Sequence, residues 1–201
     1  CPYGAYLTLR DEAPVWFDER LQGYVITRHD DVRAVLADSE RFVNSRSVNK
    51  RGRSISPKIL ALYEEKGWVP APTLAGRDDP NHREMRALFN HAFRPKRIAE
   101  LDPRIAAPAD ELLDALIDDG ECGWVRQFAV PLPLEIIGVQ MGANPDDIWR
   151  IKAWTDAWVP RLGLMQTSEQ VVWSTEMEIE AQHYFQPIFE RLRFEPDDTL
   201  L

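Results

Sequence analysis

The sequence predicts a mainly α-helical domain with a small N-terminal β-sheet, an α+β arrangement, and three observations carry that prediction. VWFD (15–18) and YVIT (24–27) are β-branched and aromatic runs flanking the polar link ERLQG, which signals a hairpin. From Asp79 onward, apolar residues recur at helical spacing between proline and glycine boundaries. The third is size and composition: 201 residues, 44% of them hydrophobic and 28% charged, suffice for one domain with a real core.

Taken in order, YGAYLTLRDE (3–12) reads as a short amphipathic helix ended before Pro14, and the hairpin follows. HDDVRAVLAD has the acidic start and apolar spacing (Val32, Val35, Leu36) of a second helix. The pattern then weakens from Asn44 to Gly76, with SPKILALYEEKG as one short helix inside a long connection. Asp79 is placed to cap the next helix, Pro80 suits its first position, and it runs to about Phe93 before Pro95. A helix over 97–118 is expected to be kinked or irregular at first, because Pro103 and Pro108 fall within it. GECGWVRQFA reads as a short strand, and PLPLEIIGVQMG as an apolar helix ending at Gly142. PDDIWRIKAWTDAWV opens another helix, and residues 168–193 form a long one with Pro187 near its end.

A net charge of -9 and a pI near 5.0 argue against nucleic acid as the main partner, since phosphate contacts need a basic face. No run approaches the roughly 18 apolar residues that span a bilayer, and CPYGAYLTLR lacks the pattern of a secretory signal. Neither a membrane nor a nucleic acid is therefore expected as partner. Cys1 and Cys122 cannot make a disulfide framework, and no Cys/His cluster suggests zinc, so reduced thiols in the cytoplasm are the simplest reading. At the far end, Asp197 or Asp198 in RFEPDDTLL looks like the cap of a helix that does not follow, the mark of a segment from a longer protein.

The stretch DDPNHREMRALFNHAF (78–93) carries the candidate site. On a helical wheel His82, Arg86, Phe93 and Phe89 fall within about 60° of one another, so the histidine and arginine are i, i+4 neighbours flanking an apolar face. A partly buried guanidinium is costly unless an anion compensates it, and an adjacent imidazole favours a carboxylate or phosphate that accepts from both. Snorkelling of the pair outward into solvent remains open at this point. His29, His91 and His183 have no metal-ligand partners at helical spacing and read as structural or solvated.

DDPNHREMRALFNHAFRPKRI resembles the helix C segment of bacterial cytochrome P-450 monooxygenases, usually written D-P-P-E-H-x-x-x-R-x-x-x-x-x-x-F-x-P-x-x. Asp79, Pro80, His82, Arg86, Phe93 and Pro95 carry the match, with Asp78-Asp79-Pro80-Asn81 replacing D-P-P-E. The resemblance continues in order along the chain. PYGAYLTLRDEAPVWFD is similar to the family's first helix and strand, and GYVITRHDDVRAVLADSERFVNS to its second strand and helix B. ADELLDALIDDGECGWVRQFAVPLPLEIIGVQMG is similar to helices D and E, and EPDDTLL to the step before the long I helix. The resemblance implies one cytochrome P-450 domain, truncated before the I helix. Residues 1–43 would hold helix A, the hairpin and helix B, residues 44–77 the B–C connection, and residues 78–201 helices C to G.

By resemblance, His82 and Arg86 bind the heme propionates. Trp68, Val69 and Leu74 of the connection, with Trp158 and Leu164 of the helix F region, border the substrate. Trp154, at i, i+4 from Trp158, reads equally as helix core. No catalytic residue and no metal ligand is expected in this segment, because the family's oxygen-handling helix and iron-ligating cysteine lie further on. The implied activity is insertion of one oxygen atom from O2 into a small, largely apolar organic substrate, with heme (iron protoporphyrin IX) as cofactor. Electrons would come from NAD(P)H through a ferredoxin or flavoprotein. The alternative is a non-catalytic helical binding module built on the same fold.

Overall fold

A computed structural model describes residues 2–44, 55–118, 120–162 and 166–197. The chain divides into two compact units, residues 1–56 with 71–89 and residues 57–70 with 90–201.

In the first unit, helix α1 (Tyr3–Glu12) leads into the antiparallel strands β1 (Val15–Asp18) and β2 (Gly23–Ile26). The register pairs Val15 with Ile26 and Phe17 with Tyr24, whose rings meet edge to face at 5.1 Å. Asp18 closes the link, its buried carboxylate accepting from the backbone N–H groups of Arg20 (2.8 Å) and Leu21 (3.0 Å). Helix α2 (His29–Ala37) follows, with Asp30 and Asp31 in its first turn where the helix dipole favours anions. Arg28 reaches back to donate to the Arg10 carbonyl at 3.1 Å, capping the C-terminal end of α1.

Helix α3 (Pro57–Lys66) belongs to the second unit, and a short 3-10 turn at Leu74–Gly76 to the first. Helix α4 (Asn81–Ala92) starts two residues after Asp79, and Pro80 precedes it rather than opening it. Helix α5 (Pro95–Ile117) runs without a break through Pro103 and Pro108, so its first part is regular helix. The carbonyls freed four residues earlier belong to Ala99 and Arg104, both exposed, so water can satisfy them.

No strand forms within 120–129. Residues Val125–Ala129 make a π-type turn closed by the bond from the Val130 N–H to the Val125 carbonyl at 2.9 Å. The aromatic content that suggested a strand instead pairs Trp124 with Phe128 at helical spacing, stacked at 4.3 Å. Helix α6 (Pro131–Gln140) ends as expected at Gly142, whose φ of 72° suits glycine alone among common residues. Helix α7 (Ile148–Trp158) is introduced by a turn in which Asn144 caps Asp146.

The 27-residue helix α8 (Ser168–Phe194) organises the second unit. A reciprocal capping box between Thr167 and Gln170 starts it. On one side Ile179, Val171 and Val172 pack with Ile59, Leu62 and Tyr63 of α3. On another, Met177, Ala181, Tyr184 and Phe185 enclose Ile151 and Trp154 of α7 and Ala143. Burying each large apolar side chain stabilises by about 1.5–3 kcal/mol, so α8 holds both clusters together. Trp154 is therefore core, ringed by Tyr184 (5.1 Å) and Phe185 (6.0 Å) with Arg150 over its face. A polar knot joins the first cluster. Arg161 donates to Ser174 (2.8 Å), Thr175 (2.8 Å) and Glu178, and the Tyr63 hydroxyl donates to Glu178. Among the described residues no helix is long and apolar enough to cross a membrane.

Candidate functional site

The first unit contains a cleft of about 970 Å³ between the end of α2, the turn that follows it and the start of α4. That volume lies in the range of small-molecule sites, roughly 300–1,000 Å³. Val35, Leu36, Phe42 and Val43 supply apolar wall, while Arg41, Arg77 and His82 supply cationic or donor groups.

The walls are held by local hydrogen bonds. Asp38 accepts from the Arg41 backbone at 2.9 Å and from its guanidinium, folding residues 38–41 into a turn. Those bonds hold the Asp38 carboxyl below the usual aspartate range. Asp78 accepts from the Asn44 N–H at 2.7 Å, tying the end of that turn to the start of α4. Arg77 donates to the Pro72 carbonyl at 3.0 Å.

Helix α4 presents His82 to the cleft, its side chain 41% exposed and its Nδ1 3.6 Å from Asp79 Oδ1. Asp79 is committed to Arg83, whose guanidinium donates to Oδ2 at 2.7 Å. That bond first, and the nearby positive charges next, lower the Asp79 carboxyl below its ordinary value. With Nδ1 on the Asp79 side, Nε2 is the other imidazole nitrogen that can pair with a ligand. Arg86, one turn on, is exposed and outside the cleft wall. No residue of α4 is fully buried. Leu88 (72% exposed) and Phe89 (47%) leave much of its apolar face open, as does Phe93 just after the helix (45%). The expected packed face is thus an open one, bordered by the His82 and Arg86 positions.

The sequence-predicted substrate residues are divided between the two units. Trp68 and Val69 are adjacent and about half exposed, just after α3, and Trp158 ends α7 and is 39% exposed. Leu74 is half-buried in the 3-10 turn of the first unit, and Leu164 lies outside the described residues. None of Trp68, Val69, Leu74 and Trp158 lines the cleft. Sequence reasoning missed Arg41, Arg77 and Arg83. The spacing Asp38-x-x-Arg41 was a local signal for the turn, and Asp79-x-x-x-Arg83 for the ion pair.

A large planar, apolar group with carboxylates at one edge asks for apolar wall beside basic donors. The cleft and the open face of α4 provide both kinds of group, so these residues fit a heme.

The architecture matches solved cytochrome P450 structures. A cytochrome P450 named CREJ, in complex with (4-ethylphenyl) dihydrogen phosphate, superposes with a TM-score of 0.84 at 26% identity, covering 99% of this chain and 50% of that one. Among curated proteins, the vitamin D(3) 25-hydroxylase of Pseudonocardia autotrophica is 31% identical over 202 residues, 100% of this chain and 46% of its own length. A cytochrome P450 numbered 123 from Mycobacterium tuberculosis is 31% identical over 156 residues, 78% of this chain and 37% of its own. No protein-family profile matches the chain. The chain belongs to the cytochrome P450 family and spans about half the length of the relatives it matches.

Proposed function

We propose that this chain is part of a heme-dependent monooxygenase that inserts one oxygen atom from O2 into a small, largely apolar organic substrate. The observation that supports this best is helix α4, where His82 and Arg86 border an apolar face left half open, in a chain of the cytochrome P450 family. In this reading His82 Nε2 and the Arg86 guanidinium would donate to the heme propionates, with Asp79 on the Nδ1 side of the imidazole. Bound heme supplies the oxygen and electron-transfer chemistry; the protein binds it, orients it and shields it from water.

Trp68, Val69, Leu74, Trp158 and Leu164 border the substrate in this reading. The name of the Pseudonocardia relative, a vitamin D(3) hydroxylase, favours a predominantly hydrocarbon substrate. Electrons come from NAD(P)H through a ferredoxin or flavoprotein, the iron-ligating cysteine lies outside this segment, and the enzyme works in the cytoplasm. Residues 1–201 form part of a single domain.

The test uses the full-length protein. Replacing His82 and Arg86 together by alanine removes two charge-assisted donors and should weaken heme retention about tenfold or more. Heme content is read from absorbance per mole of protein after passage over apomyoglobin, which competes for heme. Unchanged retention refutes the propionate assignment.

A further inference from the structure

We propose that Gln182 is a positioning residue that fixes Trp68 and Val69 as a wall of the substrate space; this rests on the reading of those two residues as substrate contacts. All the groups involved lie in the second unit. The Gln182 side-chain amide pairs with one residue of the facing chain as a neighbouring β-strand would. Its Oε1 accepts from the Trp68 N–H at 3.2 Å, and its Nε2 donates to the Trp68 carbonyl at 2.7 Å. A carboxamide alone among side chains offers a donor and an acceptor side by side in this way.

The neighbouring contacts converge on the same strip. His183 Nε2 donates to the Lys66 carbonyl at 2.6 Å, at the C-terminal end of α3. The Trp68 and His183 rings meet edge to face at 5.9 Å. Gly67 makes the approach possible: a Cβ there would lie 2.6 Å from Gln182 Oε1 and 3.1 Å from Ile179. The backbone of residues 66–68 is therefore pinned to α8, while the side chains of Trp68 and Val69 remain 44% and 43% exposed. Anchoring by backbone leaves part of both apolar side chains available to a ligand.

The test uses the full-length, heme-loaded protein with two probes that ligate iron through an imidazole nitrogen. Imidazole reports access to the iron alone, and 4-phenylimidazole adds a phenyl group that must fit the substrate space. The readout is the ratio of their dissociation constants, taken from the heme absorption shift, together with hydrogen exchange of the Trp68 amide. Gln182→Glu replaces the donor with an acceptor facing a carbonyl. It should speed Trp68 exchange about tenfold and weaken 4-phenylimidazole about three- to tenfold, with imidazole binding and heme content unchanged. Gly67→Ala, which crowds the same amide, should reproduce this, and the double variant should be no worse than either single one.

Trp68→Ala separates the two ideas. If it leaves the ratio unchanged, Trp68 does not border the substrate and the proposal falls with that reading. If it shifts the ratio while Gln182→Glu and Gly67→Ala do not, the substrate reading stands and positioning by Gln182 is overturned. An unaltered Trp68 exchange rate in Gln182→Glu overturns it as well.

Discussion

Replacing Arg161 by methionine tests how α3, the turn after α7 and α8 are held together. The guanidinium donates to Ser174 Oγ and Thr175 Oγ1, both at 2.8 Å, and to the Glu178 carboxylate, with the Tyr63 hydroxyl 3.4 Å away. The Arg161 and Glu178 side chains are only 14% and 17% exposed. Methionine keeps most of the apolar stem and leaves Glu178 in place. Ser174 and Thr175 keep their bonds to the Val171 carbonyl, so they are not orphaned. The loss is therefore dominated by a carboxylate left without its cation. Breaking a buried pair costs about 3–5 kcal/mol, and the surviving Tyr63 bond places this case at the low end, about 3 kcal/mol. Removing only the hydroxyl, in Tyr63→Phe, leaves the cation in place and should cost about 1.5 kcal/mol. Native-state hydrogen exchange, followed by mass spectrometry on the full-length protein, reads these as local opening. The 57–66 segment should exchange about a hundredfold faster in Arg161→Met and about tenfold faster in Tyr63→Phe. Lys152→Met is the control, because its partner Asp156 is 58% exposed and such a pair is worth about 0.5 kcal/mol or less. If Arg161→Met opens that segment no faster than the control, the network does not hold α3.

Two titrations follow from the same electrostatics. Burial first, and the bond to Glu178 next, raise the Tyr63 phenol above its ordinary value. The folded state thus holds this proton more tightly than the unfolded chain does. Its contribution to stability is complete below the unfolded tyrosine pKa, about 10, and is lost as pH rises from there through the higher folded value. Tyr63→Phe should show a shallower alkaline loss of stability, and an equal slope in both proteins would contradict the assignment. Asp79 behaves oppositely, since Arg83 lowers its pKa. The stability it contributes is complete above the ordinary aspartate range and fades as pH falls through the depressed value. Carbon-detected NMR should find the Asp79 titration below that range in the native protein and restored toward it in Arg83→Gln.

Legibility in the sequence followed the range of each interaction. The hairpin, α2 and α6 were readable because β-branched and aromatic runs around a polar link, apolar spacing and Gly142 act within a few residues. The segment 120–129 misled because Trp124 and Phe128 have strand propensity, and only their i, i+4 stacking decides for a helical turn. Pro103 and Pro108 did not mark a boundary, because a proline within a helix can be tolerated where the carbonyl it frees is exposed to water, and exposure is a tertiary fact. Gln182 and Trp68 are 114 residues apart, and nothing local to either marks the pair.

The candidate site sits between these cases, and helix α4 shows why. Its i, i+4 pair was legible from spacing alone, yet spacing could not choose between solvent and an anion as the pair's partner. Asp79 bears on that choice. An isolated snorkelling pair needs no neighbour, but here Asp79 is engaged by Arg83 and lies on the Nδ1 side of His82. That leaves the other imidazole nitrogen for the proposed acceptor. Leu88 and Phe89 beside it are open, and an apolar face of that size is costly in water. A flat apolar group bearing carboxylates answers both demands at once, whereas a small inorganic anion would satisfy the donors and leave the face wet. On these grounds we propose propionates, rather than a free phosphate, as the partner of the His82 and Arg86 pair.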